Sequence, residues 1–214
     1  MTELSEKRSY PVPAVLPRDE HRTEIHVRRS RFLASCVRAP DAASARALVE
    51  DLSRRHSDAT HNCWAYVAGS PGDAGHTGSS DDGEPRGTAG RPMLNVLLHS
   101  GIGEICIVVS RWFGGVKLGT GGLVRAYQDA VRENLACLAL EERVLSVCCS
   151  ARLGYAYLDG LYRLLPRFGA KIITQERLEE AELRLEVPED RCAAFERALG
   201  DLAKGAVLFR KFPK

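Results

Sequence analysis

Long hydrophobic runs are missing from this chain. No stretch approaches the roughly 18 apolar residues that a membrane span needs, and the opening MTELSEKRSYPVPAVLPRDE has no apolar core of signal-peptide length. These absences set the expectation of a soluble, cytoplasmic protein with no membrane partner. An excess of either charge is missing too: 30 Lys and Arg stand against 28 Asp and Glu, a net +2. That is too little for a polycation that coats nucleic acid, so any anion recognition has to be local. Aromatic residues are 7% of the chain and mark no hot-spot patch for a protein partner. No C-x-x-C pair occurs among the seven cysteines, Cys36, Cys63, Cys106, Cys137, Cys148, Cys149 and Cys192. Buried, reduced thiols are the expectation, ahead of disulfides or structural zinc. Absent as well are G-x-x-x-x-G-K-[ST], G-x-G-x-x-G, H-E-x-x-H and G-x-S-x-G. With no catalytic set, the balance leans away from an enzyme, and no cofactor is expected.

What is present is ordinary globular material: 214 residues, 44% hydrophobic and 27% charged, enough for one large domain or two small ones. Residues 1–20 carry three prolines and mixed charge, and read as a flexible tail. TEIHVRRSRFLASCVRA reads as two short strands or one bent one. DAASARALVEDLSRRHS is a helix capped by Asp41, with Ala45, Leu48, Val49 and Leu52 in one stripe. HNCWAYVAG alternates as a strand that puts His61, Cys63 and Ala65 on one face. Residues 70–90 show no apolar periodicity and read as a long loop, a length that is functional or disordered in compact domains. RPMLNVLLHSG is a short helix, EICIVVSRWF a buried strand, and a long helix runs to about Leu140 with Leu123, Tyr127, Ala130 and Val131 inward. From Arg143 the pattern restarts as β-α-β-β-α-β, the ferredoxin-like order.

Three segments can carry chemistry. In FGGVKLGTGGL the glycines Gly119, Gly121 and Gly122 sit where a strand gives way to a helix, so backbone N–H groups can cradle an anion. Lys117 and Arg125 flank that point, and Arg111 ends the preceding strand. Cations in a first helical turn oppose the helix dipole, and such conflicts are expected where a chain binds something. The bland alternative is a glycine-rich turn with Arg125 paired to Asp129 one helical turn on. In SDDGEPRGTAG, the carboxylates of Asp81, Asp82 and Glu84 can share Mg²⁺, pair with the cations just named, or form a solvated turn. His61 and Cys63 can be base and nucleophile or two metal ligands, but a hydrogen-bonded histidine beside a core cysteine is the plainer reading.

HNCWAY, DDGEPRGTAGRPML and RWFGGVKLGTGGLVRAY, in this order, resemble the YigZ/IMPACT family, and the likeness reaches nearly the whole chain beyond the tail. The resemblance implies an α+β protein. Its N-terminal domain, residues 21–141, would be a two-layer α/β domain similar to the fourth domain of elongation factor G, with a ribosomal-protein-like β-α fold. Its C-terminal domain, residues 142–214, would be ferredoxin-like and similar to that factor's fifth domain. Eukaryotic relatives regulate translation by competing for the activator of a kinase that phosphorylates an initiation factor. For a bacterial-type chain the resemblance implies RNA or ribosome contact, or a protein partner in translation control, with no DNA specificity; a Mg-dependent enzyme or binder of a phosphorylated small molecule or nucleotide is the alternative. It carries over a ligand-binding surface made of Asp81, Asp82, Gly83, Glu84, Pro85, Gly87, Thr88, Ala89 and Gly90 with Arg111, Phe113, Gly114, Gly115, Lys117, Gly119, Gly121, Gly122 and Arg125.

Overall fold

The structure is a computed structural model that describes residues 9–15, 19–72, 74–177 and 179–212. The chain divides into one unit over Tyr10–Arg143 and a second built on Val144–Lys214.

The first unit is organised around strand β6 (Ile105–Trp112), whose residues are apolar on both faces. Ile105, Ile107 and Val109 enter one core, while Cys106 and Val108 enter another. A strand of that kind has to be covered twice. Around it lies a five-stranded antiparallel sheet in the order β2-β3-β6-β4-β5, with β2 His21–Val27, β3 Ser30–Arg38, β4 His61–Val67 and β5 Thr77–Ser80. Helix α1 (Ala42–Arg55) covers one face through Ala45, Leu48 and Leu52. Asp41 caps it by accepting the Ser44 N–H at 2.7 Å. Helices α2 (Gly90–Ser100) and α3 (Thr120–Ala136) cover the other face with Met93, Leu97, Leu123, Tyr127 and Val131. The two-layer expectation is therefore corrected to three layers, α1 over sheet over α2 and α3. The reason is the second apolar face of β6 and its neighbours Val37 and Tyr66.

Two further expectations change. The segment 70–90 is not one long loop, because Thr77–Ser80 pairs with β4 as an edge strand. TGSS has no apolar alternation, so only the partner strand makes it a strand. Part of the expected tail is also structured. Ser9–Pro13 forms β1 and pairs with β7 (Leu140–Val144), while residues 1–8 and 16–18 lie outside the described residues. Buried Glu104 holds this strap: it accepts from the Tyr10 hydroxyl at 3.1 Å and Arg38 Nε at 2.7 Å, and Arg143 Nε stands 3.3 Å away. Burial, then the Glu104 charge, push the Tyr10 phenol up to about 12.

The second unit runs β8 (Ser146–Leu153), α4 (Leu158–Phe168), β9 (Lys171–Arg177), β10 (Ala181–Pro188), α5 (Glu189–Leu202) and β11 (Val207–Phe212). Its antiparallel sheet has the order β11-β8-β10-β9, the split arrangement that β-α-β-β-α-β chains adopt. α4 ends at Gly169 in the left-handed region, φ 65°. Its core gathers Leu153, Leu161, Leu183, Leu185, Phe195 and Leu199. All seven cysteines are free; Cys149 is buried and Cys148 exposed, as neighbours on a strand must be, and Cys137 is also exposed.

Candidate functional site

The two motif loops meet at one carboxylate. Glu84, 7% exposed, accepts from Arg111 Nη1 at 2.5 Å and from the Tyr127 hydroxyl at 2.9 Å. His61 Nε2 lies 3.9 Å from its other oxygen. Arg111 is itself only 5% exposed. Its second amino group reaches Ser30 Oγ at 3.4 Å, and its guanidinium stands 5.4 Å from the Phe32 ring and 5.5 Å from the Phe113 ring. Two groups that the sequence offered to a ligand thus neutralise each other inside the domain.

Asp81 is committed as well. One oxygen accepts from Gly87 N at 2.7 Å, and the other from Ala89 N at 3.0 Å and Gly90 N at 2.9 Å. It therefore satisfies the start of α2, whose own cap residue Ala89 supplies no side-chain bond. Burial pushes its carboxyl up, but the three N–H groups together outweigh it and hold the pKa below the ordinary value. Asp82, at φ 42°, accepts from Asn62 N at 2.6 Å, and its carbonyl oxygen meets His61 Nδ1 at 2.7 Å. Thr88 closes the turn onto the Pro85 carbonyl at 2.6 Å. Among the described residues no group of three or more His, Cys, Asp or Glu is placed to hold a metal. Cys63 is buried 3.0 Å from the Asp81 carbonyl oxygen and 3.3 Å from the Tyr127 hydroxyl. Burial pushes its thiol well above the ordinary range, and the nearby acids add to that, so it is a poor nucleophile.

The outer part of the surface is different. Phe113, Gly115, Lys117, Gly119, Gly121 and Arg125 are exposed. α3 begins at Gly119 (φ 74°) with no side-chain cap and no acid in its first turn. Its first N–H groups therefore lack a side-chain cap, with Lys117 two residues before Gly119 and Arg125 in the second turn of the helix. Neither Lys117 nor Arg125 has an ion-pair partner among the described residues, and Asp129, the expected partner of Arg125, pairs with Arg132 at 2.9 Å instead. Gly83 and Gly87 have φ of 81° and 77° and lie, with Pro85, on the exposed turn below. Gly114 and Gly122 are half-buried. At Gly114 a Cβ would come within 1.9 Å of the Arg29 carbonyl oxygen, so only glycine fits.

Sequence reasoning placed Tyr127 in the core stripe and did not single out Ser30. The signal for Tyr127 was a phenol in an otherwise aliphatic stripe, since a buried hydroxyl needs a partner. Ser30 had no comparable signal.

A three-layer α+β unit with an uncapped, glycine-rich basic loop, joined to a split β-α-β unit, defines a two-domain α+β protein. The Impact N-terminal domain model matches residues 28–135, and a domain of unknown function (DUF1949) matches residues 152–206. The chain is 39% identical over 181 residues to the IMPACT family member YigZ of Escherichia coli, covering 85% of this chain and 89% of that one. It is 35% identical over 94 residues to the Protein IMPACT homolog of Schizosaccharomyces pombe, covering 43% and 33%. A solved structure titled as that of a hypothetical protein superposes with a TM-score of 0.73 at 36% identity, over 96% of this chain and 98% of that one. This chain belongs to the IMPACT family. Among the described residues no helix is long and apolar enough to cross a membrane.

Proposed function

We propose that this protein is a non-enzymatic factor of translation that binds RNA, in the setting of the ribosome, through the loop Phe113–Gly119 and the start of α3 up to Arg125. The observation that carries this reading is the start of α3. Free backbone N–H groups, an exposed Lys117 and an exposed Arg125 stand together with no internal anion to satisfy them. A phosphate supplies the missing charge and the missing acceptors at once. The family resemblance adds support: eukaryotic members regulate translation, and the resemblance implies two domains similar to the fourth and fifth domains of elongation factor G, a pair that docks on the ribosome. The acidic motif supports the site from below rather than acting as a metal centre, because Asp81 and Glu84 are already spent on N–H, O–H and guanidinium donors.

Arg111 is a poor probe, since changing it breaks a buried pair. The test is co-sedimentation with ribosomes over a salt series, with the Lys117→Glu, Arg125→Glu variant alongside. Binding that falls with salt and drops about ten-fold or more in the variant is expected, because each phosphate contact releases counterions. Equal binding by the two proteins would overturn the reading.

A further inference from the structure

The hairpin joining β2 to β3 closes through two residues, Arg28 and Arg29, between the paired Val27 and Ser30. Both have positive φ, 45° and 70°. A two-residue turn of this hand favours Asn-Gly, because L side chains rarely enter that region. Two arginines are the wrong residues for the turn, and neither has a hydrogen-bond or ion-pair partner among the described residues. Both side chains are exposed.

The turn is fixed against the glycine-rich loop. The Gly114 N–H donates to Ser30 Oγ at 3.2 Å, and the Arg29 carbonyl occupies the space a side chain at position 114 would need. Lys117 follows three residues further on. Two aromatics lie at the same end of the sheet: Phe113 is 45% exposed, and Trp112 carries the Arg31 guanidinium 3.8 Å from its ring centre.

We infer that this hairpin turn is a second half of the site, and that the ligand is an unpaired stretch of RNA: Arg28 and Arg29 hold successive phosphates while a base stacks on Phe113. Cations interleaved with exposed aromatic faces are the surface that single strands require, since the phosphates need charge and unstacked bases need a flat apolar partner. A buried duplex base offers nothing to Phe113. The inference rests on the RNA-binding reading above and extends it to a segment remote in sequence.

The turn itself supplies a clean test. Arg28→Asn with Arg29→Gly installs the residues the backbone prefers, so the full-length variant should melt at the same temperature as the wild type or higher. Its affinity for single-stranded oligouridylate should nevertheless fall about ten-fold, with the log–log salt slope shallower by about 1.4 for two lost single-strand phosphate contacts. Phe113→Leu should weaken binding without changing the slope, and wild type should prefer oligouridylate to an RNA duplex. If wild type binds and Lys117→Glu, Arg125→Glu weakens it while the turn variant binds with unchanged affinity and slope, the hairpin is not part of the site and the earlier reading stands. An unchanged affinity in Phe113→Leu removes the stacked base. No binding of oligouridylate by wild type at low salt, beside ribosome binding that is retained, overturns the single-strand inference alone; loss of both overturns the two readings together.

Discussion

A guanidinium that is 5% exposed has to bring its counter-charge inside with it, and Arg111 brings Glu84. The energetics of such a pair are lopsided: the two charges together roughly offset their own desolvation, whereas one alone does not. Arg111→Met and Glu84→Leu should each destabilise the fold by about 3–5 kcal/mol, and the double change should recover most of that loss. A urea-unfolding cycle on the four proteins measures it, and additive losses would mean the groups are not coupled. Arg111 also shows where residue-level reading stops. On the sequence it is a cation beside a glycine-rich loop, no different in kind from Lys117 or Arg125. Strand pairing turns its side chain inward, under Phe113 and onto Glu84, while the other two stay in solvent. Nothing local encodes that partner, which lies 27 positions away.

Helix α2 starts without a cap of its own and borrows Asp81, a residue outside it, so its stability is tied to acid strength. Folding favours the ionised form of Asp81, because its folded pKa lies below the ordinary value of about 3.9. That stabilisation is complete above the ordinary value and is lost as pH falls through the folded one. Asp81→Asn should therefore be less stable than wild type near neutrality, and the gap should shrink below about pH 4. Urea midpoints taken on both sides of that pH check it; a gap that does not change with pH would show that the charge is irrelevant. Elements built on their own periodicity were legible in advance. α1 announced its cap and stripe, and the second half its β-α-β-β-α-β order. β1 and β5 were not, because short strands with proline or serine and glycine are made by the neighbour they pair with. Of the candidate site, the glycine pattern and the exposed cations could be seen in the sequence. Tyr127 was visible only as a core residue, and the Arg28–Arg29 turn only as part of a strand pair, because their relation to the site exists only once β2, β3 and α3 are assembled.

At the scale of the molecule, the two units share no core residue: the first gathers one core around Phe32, Ile107 and Tyr127 and another around Leu52 and Val108, and the second gathers its own around Leu153, Leu183 and Phe195. Each unit has a hydrophobic core of its own, as a domain does. Guanidinium unfolding should therefore resolve two cooperative transitions when near-UV signals from Trp64 and Trp112, both in the first unit, are compared with far-UV signals from the whole chain. Coincident curves would mean that the two halves melt as one. The strap described earlier adds something of another kind. Because Ser9–Pro13 lies beside Leu140–Val144 and both are tied to Glu104, the first unit begins and ends at a single seam. A module closed in that way can be spliced into longer or shorter polypeptides without disturbing its interior. Cargo fused beyond that two-stranded ribbon should therefore leave the melting temperature of the first unit unchanged.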